Sequence, residues 1–177
     1  MSVVLKLDAV DIIRKKSIDL DKNTNTGEMT KVISELGSKL MVDVIKDIEV
    51  NKPLILIKQN EKKVTYAAKI KKSEAKVIWS NVKSEVIIRK INAFNPLPGV
   101  FCIFNEKIIK IWQAALENNI KKGRPGKLYI NSKKNKLYVG TIDGAIQIKQ
   151  IQSEGKRKMN AIEFITTNKI TGTESFS

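Results

Sequence analysis

The residues that could do chemistry are defined first by what is missing. The chain of 177 residues contains no histidine and a single cysteine, Cys102. Without histidine there is no Ser-His-Asp or Cys-His nucleophile, no His-ligated zinc, and no imidazole base working near neutral pH. One cysteine excludes an intrachain disulfide and a CxxC metal site, and it fits a reducing cytoplasm. Paired carboxylates remain available, but no acid pair falls in a recognisable pocket motif. What the chain has in excess is positive charge: 33 Lys and Arg against 18 Asp and Glu, a net of +15. Lys69, Lys71 and Lys72 form one cluster, Lys121, Lys122 and Arg124 a second, and Lys156, Arg157 and Lys158 a third. Loop-borne ammonium and guanidinium groups are free to reach phosphates, and Tyr66, set among lysines, could stack on a base. Arg89 and Lys90 lie beside an apolar helical stripe and read as solvated surface.

The charge is unevenly placed. Residues 61–177 hold 23 basic against nine acidic residues, whereas residues 1–60 hold ten against nine. That asymmetry implies a module for a polyanion joined to something with another task. No apolar run approaches the roughly 18 residues of a membrane span, and the N-terminus lacks the basic-then-apolar layout of a secretory signal.

The positioning elements follow from periodicity. VVLKL near the N-terminus reads as a strand, with a second apolar run at Val10–Ile13. Asn25 and Glu28 fit a capping box, and the stripe Met29, Val32, Ile33, Leu36, Leu40, Val44, Ile45 and Ile48 predicts a helix over 28–48. Gly37 within it costs about 1 kcal/mol against alanine and implies close packing against another element. Pro53–Gln59 predicts a short strand. A basic linker follows over 62–79. Ser80 is a candidate N-cap for a second helix carrying Val82, Val86, Ile87, Ile91 and Phe94, which stops at Asn95-Pro96-Leu97-Pro98-Gly99. Thereafter the period becomes two, with strands at Val100–Phe104, Lys107–Leu116, Lys127–Asn131, Lys136–Thr141 and Ala145–Ile151. Asn160 and Glu163 cap a short helix, and residues 167–177 carry no pattern and read as a disordered tail. Trp79, Trp112, Phe94 and Phe101 stand in apolar patterns and read as core, as does Cys102. Five short strands with flanking helices predict an α+β, mostly β fold: a five-stranded OB-like barrel over residues 80–166.

Several segments, in this order, resemble methionyl-tRNA formyltransferase: SELGSKLMVDVI at the centre of the first helix, TYAAKI at Thr65–Ile70, INAFNPLPGVF at Ile91–Phe101, KIIKIWQA at Lys107–Ala114, GRPGKLY at Gly123–Tyr129 and DGAIQIKQIQSEGKRKM at Asp143–Met159. Ile78 stands where the family tends to have aspartate, and Asn92 where it usually has arginine. The resemblance implies that residues 1–61 correspond to the closing strand and helix of a Rossmann-like catalytic domain, and that residues 80–166 form a tRNA-binding domain. It implies a formyl group moved from the co-substrate 10-formyltetrahydrofolate to the amine of initiator methionyl-tRNA in the cytoplasm. The family's catalytic Asn, His and Asp have no counterparts here. The expectation is therefore a C-terminal fragment, monomeric, inactive alone, binding no cofactor or metal itself, with a separately encoded catalytic half as a partner. The alternative is a freestanding RNA-binding OB module without catalysis.

Overall fold

The computed structural model describes residues 10–117, 120, 124–133 and 135–177. The chain divides into two compact units. One comprises Glu28–Lys69 with the chain up to Asp21; the other comprises Lys22–Gly27 with Ile70–Ser177.

In the first unit the one α-helix among the described residues is α1 (Thr26–Glu49), and none of its residues is buried. Its apolar stripe is present as expected, with Ile33, Leu36 and Leu40 lining an open cleft against Ile18 and Leu20. Gly37 lines the same cleft, but an added Cβ would meet nothing within 4 Å, so close packing is not the reason for this glycine. The expected strand Pro53–Gln59 is reduced to one antiparallel bridge between Ile57 and Ile12. Arg14 pairs with Asp47, which also meets Lys52 at 3.5 Å. The strand expected near the N-terminus lies outside the described residues.

The second unit is mostly antiparallel sheet. Helix α2 (Ser84–Ala93) leads into β1 (Val100–Phe104), β2 (Lys107–Glu117), β3 (Leu128–Ile130), β4 (Leu137–Thr141), β5 (Gly144–Ser153) and β6 (Met159–Asn160), and α3 (Ala161–Thr167) follows. The alternation of apolar residues places the strands within a residue or two of their predicted limits. Strand order is β1-β2-β5-β4-β3, with β6 beside β5, so the sheet has six strands. The path is open, since no pairing joins β1 to β3 among the described residues, in place of the expected five-stranded barrel. Val100, Ile111, Leu128, Leu137, Ile146 and Ile148 are wholly buried on its inner side. Each such side chain stabilises the fold by about 1.5–3 kcal/mol relative to exposure.

Three sequence expectations are corrected in this unit. Ser80 does not cap α2, which starts at Ser84 with Lys83 as an N-cap lacking any side-chain bond. The Asp143 carboxylate, from the β4–β5 turn, accepts instead from the Ser84 N–H at 2.9 Å and the Ser84 hydroxyl at 2.6 Å. The linker expected over 62–79 does not remain solvated to its end: Ala75, Val77 and Trp79 are buried, and the Val77 N–H bonds the Phe101 carbonyl on β1. Residues 167–177 are ordered rather than frayed. The Leu128 N–H donates to Glu174, the Phe176 N–H donates to Gly126, and Ser177 exchanges both backbone bonds with Ile103. Phe176 is buried against Trp79, Phe104 and Phe164, with centroids 6.1, 5.6 and 6.3 Å away. Its aromatic side chain anchors a segment too short and polar for periodicity to reveal.

Candidate nucleic-acid interface

The basic residues singled out in the sequence occupy unlike settings. Tyr66 is 93% exposed and lies in the first unit, as does Lys69, also exposed. Lys71 and Lys72 open a single 3₁₀ turn, Lys72–Ala75, where the Lys71 N–H is held by the Glu74 carboxylate at 2.7 Å. Lys121 and Lys122 lie outside the described residues. Arg124 is exposed, and its backbone N–H bonds the Tyr129 hydroxyl at 2.9 Å. Lys156, Arg157 and Lys158 are all exposed, but Arg157 is paired with Glu163 at 2.6 Å. Of the two cations read as solvated, Arg89 meets Glu85 at 3.8 Å, whereas Lys90 is partly buried and donates to the Lys76 carbonyl at 2.8 Å. That burial lowers the Lys90 pKa, against the pull of Glu74.

What the structure brings together centres on Trp112. Pairing between β2 and β5 jumps from Ile111–Ile151 to Gln113–Gln150, which leaves Trp112 without a partner across the ladder. Ile109 and Ile111 enter the inner core; Trp112, though only 6% exposed, does not. Its indole N–H donates to the Gln152 side chain at 2.8 Å, and Gln152 in turn donates to the Lys156 carbonyl at 2.6 Å. The basic loop is thus tied to the tryptophan that its own side chain covers: Lys158 Nζ stands 3.8 Å from the indole centroid. Lys110 Nζ lies 5.4 Å from the same centroid and donates to the Pro98 carbonyl at 3.1 Å. Gly99, with φ of +79°, lets this arrangement form, because a Cβ there would fall 2.8 Å from the ring.

Trp112 is buried, as its apolar pattern implies, although it stands apart from the central core cluster. Lys110 is not among the residues singled out from the sequence; it shares a strand face with Trp112, since residues two apart lie on one side of a strand. The expectation that Phe94 and Phe101 are core holds only in part, as both are partly exposed, while Trp79 and Cys102 are buried. Burial pushes the Cys102 thiol far above its ordinary range and leaves it unreactive.

One polar network resembles a relay of hydroxyls. Ser84 and Thr141 hydroxyls lie 2.9 Å apart and both reach Asp143. The Ser84 hydroxyl, with further help from its N–H and from Thr141, holds the Asp143 carboxyl below its usual range. A carboxylate so stabilised is a poor general base, and its work here is to close the N-terminus of α2. No cluster of three or more metal-ligating side chains occurs among the described residues. No described helix is long and apolar enough to cross a membrane.

Residues 69–169 match the formyl transferase, C-terminal domain family. The methionyl-tRNA formyltransferase of Caldicellulosiruptor saccharolyticus is 32% identical over 169 residues, covering 93% of this chain and 52% of that protein. That of Clostridium acetobutylicum is 34% identical over 166 residues, with the same coverage. The chain thus spans about half the length of the curated relatives it matches. Among solved structures, HypX from Aquifex aeolicus superimposes with a TM-score of 0.71 at 17% identity, over 98% of this chain and 30% of HypX. Its complex with tetrahydrofolic acid gives 0.68 at 19% identity, over 92% of this chain and 28% of HypX. At such identities the likeness concerns the fold. The chain belongs to the formyl transferase family, which it matches through the C-terminal domain, and it is similar to methionyl-tRNA formyltransferases such as these two.

Proposed function

We propose that this chain holds initiator methionyl-tRNA for formyl transfer. The observation that carries the reading is an excess of positive charge in the part of the chain that forms the sheet and its loops: 23 basic against nine acidic residues over 61–177. Lys71, Lys72, Arg124, Lys156 and Lys158 form no ion pair with a described carboxylate. A phosphate backbone is the partner that such a surface attracts, and the relatives' names supply the RNA. In sequence, Lys121, Lys122 and Arg157 belong to the same basic clusters as these residues, and Lys69 and Tyr66 precede them in the chain. The six-stranded sheet, with Glu174–Ser177 bonded to both of its end strands, serves as an OB-like platform.

In this reading transfer chemistry and 10-formyltetrahydrofolate belong to a catalytic half resembling the rest of the relatives, and the complex works in the cytoplasm. The chain supplies no imidazole to take the proton of the attacking methionyl amine, so alone it binds, as a monomer, without formylating.

The test is fluorescence anisotropy of labelled initiator tRNA with the 177-residue chain between about 50 and 200 mM KCl. About six phosphate contacts imply a loss near 10³ in affinity across that range. Binding that is insensitive to salt overturns the proposal. Equal affinity for an elongator tRNA would reduce it to a general RNA-binding module.

A further inference from the structure

We infer that Lys110 and Lys158, set over Trp112, form a clamp for the RNA sugar-phosphate backbone; the inference rests on the proposed tRNA-holding role and assigns its central contact. Both ammonium groups lie close to one indole, at 5.4 and 3.8 Å from its centroid. Neither forms an ion pair with a described carboxylate. Among the described residues their partners are the ring's negative face and the Pro98 carbonyl, both partial charges. Two like charges held over the same ring repel each other, and an anion spanning them removes that repulsion while keeping the ring contacts.

The surroundings hold the backbone that carries the pair. Trp112 is fixed at its edge by Gln152, and Gln152 fixes the backbone at Lys156, two residues from Lys158. Lys158 is followed at once by Met159, a buried residue paired with Ile151 of β5. Lys110 lies on β2, which is paired on both sides, by β1 and by β5. The backbone carrying both lysines is therefore in place before a ligand arrives, and binding need not order it.

The same geometry decides what is recognised. Trp112 is 6% exposed beneath its two lysines, so no base can stack on it. Stacking would need an open aromatic face. The clamp therefore reads phosphate and not sequence, which distinguishes it from an aromatic platform.

The experiment uses the full chain with Lys110→Gln, Lys158→Gln and Lys158→Arg, titrating fluorescein-labelled initiator tRNA and a polyuridylate of similar length at several salt concentrations. Glutamine keeps most of the stem on the ring and removes the charge. Each glutamine variant should weaken binding of both RNAs and lower the slope of log affinity against log salt by about 1. Lys158→Arg should restore slope and affinity, since a guanidinium also lies on an indole. Unchanged thermal midpoints would separate this loss from unfolding. Wild-type slopes in both glutamine variants, with tRNA still bound, overturn the clamp and leave the binding role standing. Loss of tRNA binding with polyuridylate unaffected overturns a backbone contact. A wild-type chain that binds neither RNA overturns the binding role and the clamp together.

Discussion

Replacing Phe176 by alanine should cost the second unit about 3 kcal/mol. The ring is 4% exposed and lies 5.6, 6.1 and 6.3 Å from those of Phe104, Trp79 and Phe164. Truncating a buried phenylalanine costs about 3–5 kcal/mol, and the lower figure applies because a segment near the chain terminus can settle into part of the void. For a unit of this size each kcal/mol lowers the melting midpoint by about 4 °C, so a fall of about 12 °C is expected. Phe176→Leu, which keeps most of the volume, should cost less than about 1.5 kcal/mol. Tryptophan fluorescence during thermal unfolding is the natural readout, because Trp79 faces the substituted ring. A Phe176→Ala protein melting within about 2 °C of the parent would refute the packing of this segment, and with it the ordering of residues 167–177.

Other substitutions test the remaining joints. Asp143→Ala should destabilise by about 1–2 kcal/mol, as for loss of an N-cap, and Asp143→Asn by less, measured by urea denaturation at pH 7. Because the Asp143 pKa is depressed on folding, its contribution is complete above the unfolded value near 3.9 and disappears as pH falls through the folded one; the variants should lack that acid-side loss. Burial would raise the Glu174 carboxyl, but the Thr171 and Gly172 amides and the Thr171 hydroxyl hold it at about 2. Its stabilisation is therefore present above the ordinary glutamate range and lost towards pH 2, so Glu174→Gln should flatten the acid limb of a stability–pH profile recorded by circular dichroism. Gly140→Ala would place a methyl 2.9 Å from both the backbone nitrogen and the carbonyl carbon of Arg124, within a buried strand. A loss of at least about 2 kcal/mol in urea denaturation is expected.

Period-two alternation was enough to find the strands of the sheet, because each buries one face and the pattern is local. Asn160 capping Glu163 was legible for the same reason: donor and acceptor are three residues apart. What stayed hidden depends on contacts distant in sequence. The cap of α2 comes from Asp143, 59 residues beyond Ser84. The joining of Ser177 to Ile103 has no local signal at all. At the candidate interface, the loop lysines were identifiable by type, but charge alone could not tell Arg157, neutralised by Glu163, from Lys158 beside it. Lys110 belongs to none of the basic clusters, because it stands alone among apolar residues of β2, and its place beside Trp112 shows only in the structure.

The backbone bonds around residues 174–177 also cover the edges of the sheet. An end strand of a sheet offers unpaired N–H and C=O groups to any other strand that meets it. Here β1 has its free side occupied at Phe101 by Val77 and at Ile103 by Ser177, and β3 has Leu128 bonded to Glu174. Neither covering segment is itself a long strand that could recruit another. Losing the last four residues would therefore uncover two edges at once, on opposite ends of the strand path. Lys110 and Trp112 would keep their supports, since β2 is flanked by β1 and β5. Such a chain would lose solubility through strand-to-strand association while the packing around Trp112 stayed in place.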